Sequence, residues 1–467
     1  MTKTSHPGGL LSPILALSAL LRVALVLSGG QNYWPDEDDA NPRQILAALV
    51  RHDWRETFVR LDGADHPLFK IVALGPAAVE RLIWSDPRVY ALFVAAFSVV
   101  NIWLLARIAR RLGAGVVEST AAAACLAFSS AFFYWARHIQ PYDASVTCAL
   151  LALYVGVDPE RTVLRRLSFC GAMCGCSFLM YAGAWAMIAG VVTIGVALAA
   201  RRWRDVPRAA AAAASGAAMV VGAALAVSAT FGGQLADSFL TRSATITQGD
   251  FAEGWRLPFE YLWHAEHTMI LVWLASTVWW LAWPRGAAVS PRVRAGLIGL
   301  AVVYACLALS SVVLHVFVVY GRMARQLVPF FCLLAGATFA TLTESPRRLV
   351  RQMAAAGATL MALQAAANFR QPLVQSFPSD FIARNTPDVQ TRSRYERLIW
   401  INTRHLRPMP DHVDLASPYV TLAKAAHPLE FRSYQYEGFT PAERAALRSA
   451  DISMRLLGVP VQGRRGT

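Results

Sequence analysis

Lysine is all but missing from this chain. It stands only at Lys3, Lys70 and Lys424, so the formal net charge of +14 is carried almost entirely by arginine. Charge as a whole is scarce: charged residues make up 16% of the 467 positions and hydrophobic ones 55%. A balance so apolar excludes an ordinary soluble protein of this length and fits a polytopic membrane protein. Nucleic acid is excluded as the partner of the basic charge by its distribution, because the arginines stand in short clusters between apolar runs, where they orient helices against an anionic membrane face. Cysteine is missing from every polar loop. All seven, Cys125, Cys148, Cys170, Cys174, Cys176, Cys306 and Cys332, fall in apolar stretches, which excludes a disulfide framework. Cys170, Cys174 and Cys176 point in different directions on one helix with no histidine beside them, so packing is preferred over a metal cluster. The sequence also has no glycine-rich nucleotide loop, no His-x-x-x-His pair and no internal repeat.

What is present is a series of long apolar runs. They lie near 11–28, 88–106, 115–135, 140–157, 166–182, 184–200, 208–230, 267–283, 295–318, 325–343 and 349–367, and predict eleven crossings. The first has no small-residue cleavage site after it and reads as a retained helix. The stretch His66–Trp84 contains Lys70, Glu80 and Arg81 and reads as amphipathic, lying flat on the outer surface. With that segment flat, the clusters Arg107/Arg110/Arg111, Arg161/Arg165/Arg166, Arg201/Arg202/Arg204/Arg208, Arg285/Arg292/Arg294 and Arg347/Arg348/Arg351 all fall on one side. The positive-inside rule makes that side the cytoplasm, with the N-terminus inside and the C-terminus outside.

The outer face then receives the loop 29–87, the turn Ala136–Asp143, the loop 231–266, the turn Tyr320–Arg325 and the tail from 368. Residues 1–367 form the expected membrane domain and 368–467 a small extracytoplasmic α+β domain. In that tail, Glu430–Glu437 has strand composition and Thr440-Pro441-Ala442-Glu443 reads as a capping box. The expected fold class is therefore all-α polytopic, with surface helices on the outer side.

The densest polar feature is Trp34-Pro35-Asp36-Glu37-Asp38-Asp39, directly after the first apolar run. Carboxylates beside a bilayer are costly to desolvate and are not needed to hold apolar helices together, so a row of them points to chemistry or an ion, against the alternative of a solvated loop. Asp38 and Asp39 fit the start of the following helix near its positive end. Arg322 and Arg325 lie outside against the charge bias, just before a helix. A fixed arginine there suits a phosphate, and interface anchoring by snorkelling is the competing reading. Asp143, at the Arg137…Pro141-Tyr142-Asp143 turn, reads equally as site-lining or as a helix cap.

The order of these pieces resembles the GT-C superfamily of integral membrane glycosyltransferases, nearest to the protein O-mannosyltransferase and lipid A aminoarabinose transferase branch. The features that carry the resemblance are the first helix, the outer-loop Pro-Asp-Glu, the surface helices with a basic residue plus proline and leucine, and the Arg…Pro-Tyr-Asp turn. It covers roughly residues 10–345. The resemblance implies sugar transfer from a polyprenyl-phosphate carrier to a lipid, glycan or protein acceptor at the outer face, with Asp36 as base and Glu37 as the neighbour that shares or replaces it. It implies carrier-phosphate contacts from Arg322 and Arg325, and from Arg242 in the long outer loop. His66-Pro67-Leu68 stands where the aminoarabinose transferases have lysine before proline, and the resemblance implies a carrier-phosphate contact there by a hydrogen bond from His66 and not by a fixed cation. The Ala136–Asp143 turn lacks the glutamate of many bacterial members, leaving Arg137, Tyr142 and Asp143 to line the site. No cofactor is implied; clustered carboxylates would bind magnesium or manganese through oxygen, and no metal is assigned. The alternative function is a transporter or flippase for a polyprenyl-linked or anionic substrate, which would show charges at mid-membrane and pseudo-symmetric halves with broken helices.

Overall fold

The computed structural model describes residues 11–28, 40–62, 66–84, 88–136, 139–200, 202–246, 257–282, 289–312 and 321–374, with Trp255 and two short strands near the C-terminus. In chain order its helices are α1 (Leu11–Ser28), α2 (Ala40–Val50), α3 (Trp54–Asp62), α4 (Pro67–Val72), α5 (Leu74–Leu82), α6 (Arg88–Arg111) and α7 (Val116–Ala127). They continue with α8 (Ser130–Trp135), α9 (Tyr142–Gly156), α10 (Val163–Met180), α11 (Trp185–Ala199), α12 (Val206–Thr230), α13 (Leu235–Ile246) and α14 (Leu257–Glu266). The last are α15 (Met269–Leu281), α16 (Pro291–Val312), α17 (Gly321–Ala324), α18 (Val328–Thr343) and α19 (Arg348–Val374). Strands β1 (Ala450–Ile452) and β2 (Gly463–Arg465) pair antiparallel. The rest of the tail lies outside the described residues, including the expected strand at 430–437 and helix start at Thr440.

A helix occupies every apolar run read from the sequence. Among the described residues, six helical segments are long and apolar enough to cross a bilayer by length and composition, and four more are shorter and apolar. The run at 115–135 is broken, because α7 ends at Ala127 and Ser129 caps a separate α8 by accepting from the Phe132 amide. The helix ends follow from local chemistry. Arg110 and Arg111 close α6 at the negative end of its dipole, and Gly113 follows at φ +89°, a turn that glycine makes without strain. Pro329 sits in the first turn of α18, where its missing amide hydrogen is no loss.

The stretch 66–84 is two short helices, α4 and α5, neither long enough to span. Lys70, read from the sequence as part of the polar face, is instead buried and donates from Nζ to the Arg60 carbonyl near the end of α3 at 3.0 Å. Arg43 of α2 holds Glu80 of α5 through both nitrogens at 2.6 and 2.5 Å. Phe58 of α3 stacks on Phe231 beyond α12 at 4.1 Å.

The main core runs through α6, α7, α9, α11, α15, α16 and α18, and includes Leu104, Leu150, Met187, Trp273, Phe330 and Phe331. Trp273 and Phe331 stack at 5.5 Å. The α10–α12 contact depends on small residues, since a Cβ at Gly171 would lie 1.8 Å from the Ala213 carbonyl oxygen and one at Gly216 would lie 1.9 Å from that of Ser168. Without a hydrophobic force between helices in lipid, such close backbone approach supplies the packing.

Candidate active site

The turn before α18 carries Arg325 into the protein interior. Its side chain is 1% exposed and pairs through Nη2 with the Oδ1 of Asp143, itself 1% exposed, at the first turn of α9. Arg325 therefore does not snorkel to an interface, and the Asp143 carboxylate engages this partner where no side-chain cap of α9 is formed. The guanidinium carbon of Arg325 lies 4.4 Å from the centre of the Phe132 ring on α8, a cation–π seat. Its Nε and Nη1 are buried and have no hydrogen-bond partner among the described residues. Buried donors of a charged group left unmade are expensive, so these two nitrogens, on either side of the Nη2 that Asp143 holds, are suited to meet acceptors.

The carboxylate side is braced from behind. Asn101 of α6 donates to the Asp143 backbone carbonyl at 3.0 Å, and Thr147, one turn on, donates to the Asn101 side-chain oxygen at 2.7 Å. Gln326, next to Arg325, accepts from the Met187 amide and donates to the Gly183 carbonyl, both at 2.8 Å. It thereby ties the arginine turn to the break between α10 and α11.

Three aromatic contacts extend the site toward α4. Trp135 meets Tyr142 edge-on at 5.3 Å, Tyr142 meets Tyr181 at 4.8 Å, and Tyr181 meets His66 at 5.5 Å. The structure thus brings His66, Tyr142, Asp143 and Arg325 into one continuous network. Asp36, Glu37 and Arg137 lie outside the described residues. Arg242 lies on α13 and Arg322 on α17, with their side chains outside the described set. His66 precedes α4 without a side-chain cap bond, and its ring faces Tyr181.

Two buried groups near this network are ones that sequence reasoning passed over. Arg22, in the middle of α1, is 1% exposed; it donates to the Ser98 hydroxyl at 2.8 Å and to the Ser18 carbonyl at 3.3 Å, with Phe133 5.7 Å away. Asp143 and Arg325 both act electrostatically on it. A lone arginine within an apolar span was the available signal. Glu266, the last residue of α14, is fully buried and holds the start of α8, accepting from the Ser130 amide at 2.9 Å, the Ala131 amide at 3.0 Å and the Ser129 hydroxyl at 2.5 Å. Burial pushes its carboxyl up to about 7 despite these three donors. Among the described residues no group of three or more histidine, cysteine or carboxylate side chains is arranged to hold a metal.

Residues 72–227 match the family model of dolichyl-phosphate-mannose-protein mannosyltransferase. The crystal structure of ArnT from Cupriavidus metallidurans bound to undecaprenyl phosphate superposes with a TM-score of 0.57 at 15% identity, covering 90% of this chain and 71% of that one. In fold the chain is similar to this ArnT. The apo ArnT structure gives 0.56 at 15% identity over 95% of this chain and 73% of that one. An oligosaccharyltransferase of Archaeoglobus fulgidus gives 0.47 at 12% identity over 85% and 58%. No curated protein matches by sequence. Within this fold the Arg325–Asp143 pair joins the turn before α18 to the first turn of α9, whose Ala144 packs with Phe69 of α4.

Proposed function

We propose that the chain transfers a sugar from a polyprenyl-phosphate carrier to a hydroxyl of a lipid, glycan or protein acceptor at the outer face of the cytoplasmic membrane. The reading rests above all on Arg325, a buried guanidinium with one side spent on Asp143 and two donors without a partner among the described residues. Such a buried cation with donors to spare suits the phosphate of the carrier, whose charge grows as the glycosidic bond breaks, and preorganised cations in a water-poor site are worth several kcal/mol there.

In this reaction the acceptor oxygen forms a bond to the anomeric carbon while the bond from that carbon to the phosphate oxygen breaks. The acceptor proton passes to Asp36, assisted by Glu37, and polyprenyl phosphate departs toward Arg325, with Arg322, Arg242 and His66 as its further contacts. General-base help of this kind contributes about 100- to 10,000-fold. Asp143 orients Arg325, and Tyr142 and Arg137 line the acceptor side. The carrier supplies its own leaving group, which agrees with the lack of a nucleotide loop in the sequence.

The test is transfer of labelled sugar from a polyprenyl-phosphate donor in membranes holding the wild-type chain or Asp36→Asn at matched yield. Loss of transfer in the variant is the expected result. Undiminished transfer removes Asp36 from the mechanism, and no transfer by the wild type across a panel of donors favours the transporter alternative.

A further inference from the structure

A crevice of about 430 Å³ lies between α7, α15, α18 and α19, away from the Arg325 network. Its walls are apolar and mix small residues such as Ala124, Ala335 and Gly357 with Phe128, Phe339 and Met361. Along α19 the lining runs from Ala354 to Ala362, which is about 12 Å at 1.5 Å per residue. Along α7 it runs from Val117 to Phe128, about 16 Å, and a groove of that length accommodates one acyl chain of a bilayer lipid in a hydrocarbon core about 30 Å thick.

One end of the crevice is marked by charge. Residues 354, 358 and 361 or 362 share a face of α19, and a three-residue step carries that face back to Arg351, with Arg347 immediately before the helix. Arg347 and Arg351 are exposed, and Arg351 Nη1 donates to the Ser345 carbonyl at 2.9 Å and the Pro346 carbonyl at 3.2 Å, which fixes its guanidinium over the α18–α19 turn. Leu342, two residues before that turn, already lines the crevice. The turn holds Arg347, Arg348 and Arg351 against the single carboxylate Glu344, and no ion pair joins these arginines to an acid among the described residues.

We infer that this crevice is a binding site for an anionic glycerophospholipid, one acyl chain lying in the groove and the phosphate meeting Arg347 and Arg351. Basic collars at the end of an apolar cleft between membrane helices recognise such headgroups, and the positive-inside reading places this one at the cytoplasmic leaflet. The site is independent of the sugar-transfer reading and stands or falls without it.

The experiment is native mass spectrometry of the delipidated chain titrated with phosphatidylglycerol or phosphatidylcholine. Wild type is expected to bind phosphatidylglycerol at least about tenfold more tightly, in line with about 1 kcal/mol per basic residue near an anionic headgroup. Arg347→Gln with Arg351→Gln should erase that preference. Gly357→Leu should weaken both lipids, and it keeps the fold because a Cβ at Gly357 meets nothing within 4 Å. Equal affinity of wild type for the two lipids, or unchanged phosphatidylglycerol binding in Gly357→Leu, overturns the inference.

Discussion

Replacing Glu266 by glutamine should remove a pH-dependent part of the stability, with a sign opposite to that of most carboxylates. Glu266 is fully buried, and desolvation raises its carboxyl from the ordinary 4.5 to about 7. The native state therefore holds this proton more tightly than the unfolded chain, and between pH 4.5 and about 7 it carries more protons. Stability is then fully present below the unfolded value and falls as pH rises through that window. At about 1.36 kcal/mol per pH unit the fall amounts to about 3 kcal/mol. Glutamine cannot ionise, so its slope vanishes. It also turns an amide donor toward the Ser130 or Ala131 amide, which adds a pH-independent loss of about 1–3 kcal/mol. Denaturant unfolding of both forms in mixed micelles at pH 5.0 and 7.5 measures the difference. An identical pH slope in wild type and Glu266→Gln refutes the reasoning, because the cost of burying this charge would then be absent.

The Arg325–Asp143 pair should behave as a coupled unit. Asp143→Ala alone leaves an uncompensated buried charge and is expected to lower stability by about 3–5 kcal/mol, while Asp143→Ala with Arg325→Met recovers part of that loss in the same unfolding assay. Additive losses would mean that the two side chains do not meet. Gly171→Val should sharply reduce the yield of folded protein in detergent, since its Cβ would collide with the Ala213 backbone of α12, whereas Gly222→Ala, with open space at the Cβ, should be tolerated.

The helical architecture was legible because hydropathy reports the apolar runs directly: each of the eleven from 11–28 to 349–367 holds a helix among the described residues, and the run at 115–135 holds two. The reading of 66–84 as a segment that does not span came from Lys70, Glu80 and Arg81; α4 and α5 are each too short to span, although Lys70 is buried. Arg325 was legible as a charge out of place. Its pairing with Asp143 was not, because 182 residues separate the two and only the packing of α9 against the α17–α18 turn joins them. Arg22 and Glu266 were missed for a related reason. A single charge does not change the hydropathy of a span, and its burial against Ser98 or the start of α8 depends on helices distant in sequence. The break at Phe128–Ser129 was hidden inside one continuous apolar run.

The central claim is that Arg325 receives the phosphate of a polyprenyl carrier. The most direct measurement is the affinity of the purified chain, wild type and Arg325→Gln, for polyprenyl phosphate and for the matching polyprenol, with folding checked by size exclusion. Hydrogen bonds to a charged group are worth about 1.5–3 kcal/mol, so the account predicts that wild type prefers the phosphate and that the variant loses about 10- to 150-fold in affinity for it, with polyprenol binding unchanged. Equal wild-type affinity for phosphate and polyprenol, or a folded Arg325→Gln chain that binds the phosphate as tightly as wild type, would contradict it.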